Sequence, residues 1–107
     1  MFYLEKTIEI SAAHILDLPY KSKCQNLHGH NYEITIYCKT KKLNENGMVI
    51  DFINIKEIVN ELDHSYLNDI MPQSTAECLA KYLCEKILHC YKVKVVESKG
   101  NEVIYAI

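Results

Sequence analysis

No stretch of the sequence approaches the ~20 apolar residues that a membrane-crossing helix needs. There is no basic surplus either: the net charge is −2, whereas nucleic-acid binding normally requires a basic face. Aromatic and basic residues do not interleave as they would along a single-strand channel. The five cysteines, Cys24, Cys38, Cys78, Cys84 and Cys90, are odd in number and form no CxxC pair. They therefore suit neither a disulfide framework nor a cysteine-rich zinc module, and most read as small buried hydrophobes. Glycine and proline are scarce, at three and two. No repeat, low-complexity run or Gly/Ser-rich linker divides the chain, and no glycine-rich loop is present to cradle phosphates. Met1 to Lys6 has no basic stretch followed by an apolar one, so no signal peptide is expected and the chain reads as cytoplasmic.

What is present is ordinary for a globular protein, with 49% hydrophobic and 24% charged residues. The length suits one domain spanning residues 1–107, with a core that a subunit interface would help to stabilise. From Phe2 to about Ala13, the row Phe2, Leu4, Ile8, Ile10, Ala12 alternates with Tyr3, Glu5, Thr7, Glu9, Ser11. That period predicts a strand with one buried face. A second strand is predicted from His30 to Lys42, with Tyr32, Ile34, Ile36 and Cys38 facing one way. Asn46-Gly47 then marks a turn. Asp51 is placed to cap a helix carrying Ile55, Ile58, Val59 and Leu62. Ser74 and Glu77 form a capping-box pattern before a second helix with Leu79, Ala80, Leu83 and Ile87 on one stripe. Strands from Lys92 to about Ser98 and from Val103 to Ile107 close the chain around Lys99-Gly100-Asn101. The expected class is α+β: a four-stranded antiparallel sheet in the order β-β-α-α-β-β, with both helices on one face. The outer face carries tyrosines that other subunits would cover.

Chemistry concentrates in Cys24-Gln25-Asn26-Leu27-His28-Gly29-His30. In an extended chain residues i and i+2 share a face, so His28 and His30 reach one ion together. If the first two strands pair antiparallel, His14 converges with them. Three imidazoles and an open fourth position describe a catalytic zinc site, although iron, nickel and copper accept the same ligands. The plainer reading is three surface or core histidines, and spacing alone leaves both open. Cys24 is either a base or nucleophile beside the metal or a half-buried loop thiol. Asp63-His64 is either a proton relay or a helix-end histidine on the helix dipole. Glu97 either grips a donor–donor edge or ends its strand in solvent. Glu77 is accounted for by the capping box, and His89 by a solvated helix end.

Together, Ser11-Ala12-Ala13-His14, Cys24-x-x-x-His28-Gly29-His30-Asn31-Tyr32, Gly47 to Phe52, Leu62 to Asp69, Ser74-Thr75-Ala76-Glu77 and Glu97 resemble the 6-pyruvoyltetrahydropterin synthase superfamily. They are most similar to its 6-carboxytetrahydropterin synthase branch, of the queuosine pathway, because only three residues separate Cys24 from His28. The resemblance implies the tunnelling fold, in which three subunits join sheets into a β-barrel and two trimers stack as a hexamer. It further implies Zn2+ on His14, His28 and His30, and 7,8-dihydroneopterin triphosphate as substrate. The implied products are 6-carboxytetrahydropterin, acetaldehyde and triphosphate. Cys24, Asp63 and His64 would be catalytic, the last two contributed by a neighbouring subunit. Glu97 would anchor the pterin, assisted by Thr75 and Glu77. The chain departs from the family in Ser98, where threonine is common, and in Pro72-Gln73-Ser74-Thr75, a stretched form of the usual Pro-Thr. The rival expectations are a synthase making 6-pyruvoyltetrahydropterin without carbon–carbon cleavage, and a non-catalytic zinc- or pterin-binding module.

Overall fold

A computed structural model describes all 107 residues. Strand β1 (Phe2–His14) pairs antiparallel with β2 (His28–Thr40) in unbroken register from Phe2↔Thr40 to His14↔His28. Strand β2 thus begins and ends two residues earlier than periodicity suggests. Gly29 contributes no side chain to an alternating pattern, yet its backbone pairs with Ala13. Helix α1 (Phe52–Asn60) starts as expected from Asp51, whose carboxylate accepts the Ile53 N–H at 2.8 Å.

A two-residue strand, β3 (Ser65–Tyr66), follows and runs parallel to β1 at Ala12 and Ala13. Helix α2 (Ala76–Lys86) leads to β4 (Cys90–Ser98) and β5 (Asn101–Ala106), which turn tightly at Lys99-Gly100. The sheet is five-stranded, in the order β3-β1-β2-β4-β5. The strand absent from the expectation is too short to show an alternation. A backbone bond from His64 N–H to the Ser11 carbonyl leads it into place.

The capping box expected at Ser74 and Glu77 is not formed. Thr75 caps α2, its hydroxyl accepting the Cys78 N–H at 3.1 Å. The Ser74 hydroxyl instead donates to Asn68 Oδ1 at 2.8 Å. A buried hydroxyl needs a partner, and Asn68 provides one that the helix end would otherwise supply. Glu77 is left exposed on the first turn.

Both helices cover the same face of the sheet. Ile55 and Val59 of α1 and Leu79, Ala80 and Leu83 of α2 share one core with Ile10, Ile34, Ile36, Val93 and Val95. Each large aliphatic side chain buried there stabilises the fold by about 1.5–3 kcal/mol. The outer face carries the expected tyrosines. Tyr91 meets Tyr3 and Tyr37 edge-on, and Lys39 and Lys92 lie over Tyr91 and Tyr37 at 4.7 and 4.2 Å. No helix is long and apolar enough to cross a membrane. The inward rows do not stay apolar to their ends. Ile10-Ala12 continues to His14, Ile34-Tyr32 to His30 and His28, and Val93-Val95 to Glu97. Four polar groups therefore gather where the core opens.

Candidate metal centre and adjoining cavity

Antiparallel register brings the ends of β1 and β2 together, so His14 faces His28 directly and Ala12 faces His30. The imidazole centroids lie 4.5, 5.1 and 4.9 Å apart, and one nitrogen of each ring falls within 4.8 Å of the others. A Cβ on Gly29 would stand 3.3 Å from the Ala12 carbonyl, so the neighbouring backbone would have to give by a few tenths of an ångström. Glycine there lets the two ligand-bearing segments close up.

Backbone carbonyls orient two of the three rings. His14 Nδ1–H donates to the Ser74 carbonyl at 2.7 Å, and His28 Nδ1–H donates to the Asn26 carbonyl at 2.6 Å. A carbonyl only accepts, so Nδ1 carries a proton in both rings, and in the neutral form of each the lone pair is on Nε2. Such backbone partners orient metal-binding histidines and strengthen them as ligands. Burial lowers the pKa of His30, the charges of His14 and His28 add to the effect, and Glu97 opposes it. The ring is thereby biased toward its neutral, ligating form. His30 Nε2 is buried with no hydrogen-bond partner, a costly state in a folded protein that a coordinated cation relieves. Three converging imidazoles, two oriented by backbone carbonyls, and this orphaned atom fit a divalent transition metal well. His14 is fully buried, with the Tyr32 hydroxyl 3.4 Å from its ring nitrogens.

Glu97 reaches in from β4. Its carboxylate lies 3.6 Å from His14 Nε2 and 3.5 Å from His30 Nε2, while outside the three-nitrogen group. It stands between the histidines and a cavity of ≈ 450 Å³ lined among others by Leu16, Cys24, Thr75, Glu77, Glu97 and Val103. Cys24 is held at this rim by a short 3-10 turn, Lys23–Gln25, that Ser22 caps by accepting the Cys24 N–H at 3.1 Å. The other cysteines lie elsewhere. Cys38, Cys84 and Cys90 are buried, as expected of small hydrophobes, and Cys78 is exposed on α2. Burial raises the Cys84 thiol to about 12.

Asp63 and His64 do not join Cys24 within one chain. They sit beyond the β1 edge, where Asp63 accepts the Ser11 N–H at 2.8 Å and lies 3.0 Å from His64 Nδ1. The Ser11 N–H foremost, and then His64, hold the Asp63 carboxyl below the usual carboxylate range. His64 adopts φ 57° and is 82% exposed. It lines a separate cavity of ≈ 420 Å³ with Gly29 and with Ser11 and Asn31, whose side chains belong to the outer face. His89, to which no role was given, occupies the turn between α2 and β4 at φ 65°, where its carbonyl accepts the Lys39 N–H.

Sequence reasoning missed the groups that set the histidine tautomers, because the carbonyls of Asn26 and Ser74 carry no residue-type signal. It also missed Asn68 and Gln73, although both lie in stretches the motifs pick out.

Comparison with known proteins follows the same lines. The family described as "6-pyruvoyl tetrahydropterin synthase" matches residues 3–106. A Synechocystis protein named 6-carboxy-5,6,7,8-tetrahydropterin synthase is 34% identical over 99 residues, covering 81% of this chain and 75% of that protein. A relative from Pyrococcus horikoshii is 47% identical over 58 residues, which span 54% of this chain but only 36% of the relative. Among solved structures, 6-pyruvoyl tetrahydropterin synthase from Caenorhabditis elegans superposes with a TM-score of 0.76 at 27% identity, covering 98% of this chain and 94% of that one.

Proposed function

Because the chain belongs to the 6-pyruvoyl tetrahydropterin synthase family, we propose that it converts 7,8-dihydroneopterin triphosphate and water to 6-carboxytetrahydropterin, acetaldehyde and triphosphate. The carboxy-forming branch is favoured by the short Cys24–His28 spacing and by the name of the Synechocystis relative. That product would enter the making of the 7-deazaguanine base of queuosine. The observation that carries the reading is the convergence of three imidazoles, two with tautomers oriented by backbone carbonyls, on Glu97, which also lines the cavity that holds Cys24.

In this reading His14, His28 and His30 hold a zinc ion. When bound, zinc supplies Lewis acidity that makes side-chain hydroxyls of the substrate easier to deprotonate. The chain's own residues do the rest. Cys24 takes and returns protons at the carbon next to the pterin ring, and Glu97 accepts hydrogen bonds from the ring's amidine-like edge. Thr75 and Glu77 line the same cavity and help orient the ring. His64 exchanges protons with the side-chain oxygens while Asp63 holds its Nδ1–H and supports the imidazolium.

Asp63 and His64 lie away from Cys24 in one chain, so this mechanism requires a second copy to present them. The outer edges of the sheet favour such assembly. Strand β5 has a free edge, β1 is covered on one side only at Ala12 and Ala13, and Ile104 and Phe2 are exposed nearby. Unpaired edges of this kind invite another strand, consistent with a trimer-based barrel, doubled into a hexamer.

The test is incubation of zinc-loaded protein with 7,8-dihydroneopterin triphosphate, an acetaldehyde trap and mass analysis of products. Acetaldehyde with a carboxypterin supports the proposal. A pyruvoyl product without acetaldehyde would replace the subtype, and metal-replete protein with no turnover would point to a binding module.

A further inference from the structure

Beyond His14 the chain leaves the sheet, yet its backbone remains paired. The Ile15 N–H donates to Asn68 Oδ1 at 2.9 Å, and Asn68 Nδ2 donates back to the Ile15 carbonyl at 2.8 Å. At Asp17 the pattern repeats. Its N–H donates to Gln73 Oε1 at 3.2 Å, and Gln73 Nε2 donates to its carbonyl at 3.0 Å. A carboxamide presents an acceptor and donors in one plane. Each side chain therefore mimics the N–H and C=O pair that an antiparallel neighbour would offer, at the i, i+2 spacing of one strand edge.

The intervening residue bonds on the opposite side. The Leu16 N–H donates to the Cys24 carbonyl at 2.8 Å, and Gln25 Nε2 donates to the Leu18 carbonyl at 2.8 Å. The segment 15–18 is thus gripped along both edges, by two carboxamides on one side and by the Cys24 turn on the other. Asn68 also accepts from Ser74, whose carbonyl orients His14. The Cys24 turn and the His14 imidazole consequently share one set of supports.

We propose that Asn68 and Gln73 are positioning residues that carry the β1 hydrogen bonding past His14 and hold the Cys24 turn in register with the histidine cluster. The inference rests on the proposed role of Cys24, because a fixed thiol matters only if the thiol acts on a bound substrate.

The test compares full-length wild type with Gln73→Ala and Gln73→Glu. Glutamate keeps the size and the acceptor for the Asp17 N–H but loses the donor to its carbonyl, so a role in hydrogen bonding places it between wild type and alanine, whereas mere space-filling makes it behave like wild type. The first readout is alkylation of Cys24 by iodoacetamide, followed by peptide mass spectrometry with the exposed Cys78 as internal reference. Losing both hydrogen bonds in Gln73→Ala corresponds to roughly tenfold more opening, so Cys24 should react roughly tenfold faster relative to Cys78 there, and roughly threefold faster in Gln73→Glu, which keeps one of the two. Zinc content should stay at the wild-type value. In turnover, kcat should fall roughly tenfold or more with KM little changed, as expected when a reacting group is misplaced. Unchanged Cys24 reactivity in both variants, or wild-type behaviour of Gln73→Glu, overturns the proposal. If wild type itself shows no metal and no turnover, the proposed function fails, and the alkylation ratio still decides whether the clamp exists.

Discussion

His64 offers a way to separate folding from chemistry at one position. Its φ of 57° lies in the left-handed region, where a residue bearing a Cβ is disfavoured by about 1–2 kcal/mol and glycine is not. The side chain is 82% exposed, so little packing is lost on removing it. His64→Gly and His64→Ala both lose the contact with Asp63, and the difference between them isolates the backbone. Alanine retains the left-handed penalty. Glycine relieves it, at a cost of about 0.5–1 kcal/mol from its greater freedom in the unfolded chain. The glycine variant should therefore be the more stable by about 0.5–1 kcal/mol, the difference of these terms. For a chain of this size that is a melting temperature higher by roughly 2–8 °C. Turnover should move the other way, both variants losing roughly 10²–10⁴-fold, the usual worth of a general acid–base group. Calorimetry and product mass spectrometry on the same preparations read both quantities. Equal melting temperatures for glycine and alanine would refute the strain argument, and wild-type turnover in either would remove His64 from the mechanism.

Four further outcomes are expected. Thr75→Ala should cost about 1 kcal/mol in a denaturant titration because it removes the α2 cap, whereas Glu77→Gln should leave stability unchanged. Cys24→Ala should retain wild-type zinc content by atomic absorption and melt normally while turnover falls roughly 10²–10⁴-fold. The folded state lowers the Asp63 pKa, so the unfolded chain holds more protons as the carboxyl titrates. Its contribution is present above the unfolded value near 3.8 and is lost as pH falls through the lower folded value. Asp63→Asn should accordingly flatten the acid limb of a plot of urea midpoint against pH. Removing metal with a chelator should lower the melting temperature of wild type, since a ligand at 1,000 times its Kd stabilises by about 4.1 kcal/mol. That metal-dependent difference should vanish in His28→Ala.

Much of the architecture could be read along the chain because β1 and the two helices follow simple periods. Ile10 and Ala12 fall in step with the strand, and Asp51 caps α1 as its position suggests. Strand β2 was displaced because Gly29 is silent in a hydrophobic pattern, and β3 because two residues have no period. The cap moved from Ser74 to Thr75 because both are good capping residues, and the choice depended on Asn68, which is adjacent only in space. At the site, the convergence of His14, His28 and His30 was legible from i, i+2 spacing and a hairpin. The approach of Glu97 to two of those rings was not, since it depends on the stagger between β2 and β4. The separation of His64 from Cys24 likewise depends on which face each loop turns toward.

All three imidazoles belong to residues 14–30, whereas the carbonyl that fixes the ring of His14 belongs to Ser74. During synthesis the complete ligand set thus leaves the ribosome well before the group that orients its most deeply buried member. A nascent hairpin can engage a cation through ordinary, freely tautomerising histidines, but the arrangement that aligns the lone pairs waits until residue 74 has docked. Tight capture of any cation by these rings would therefore wait for the second half of the chain, and a product ending before Ser74 would lack the carbonyl that orients His14.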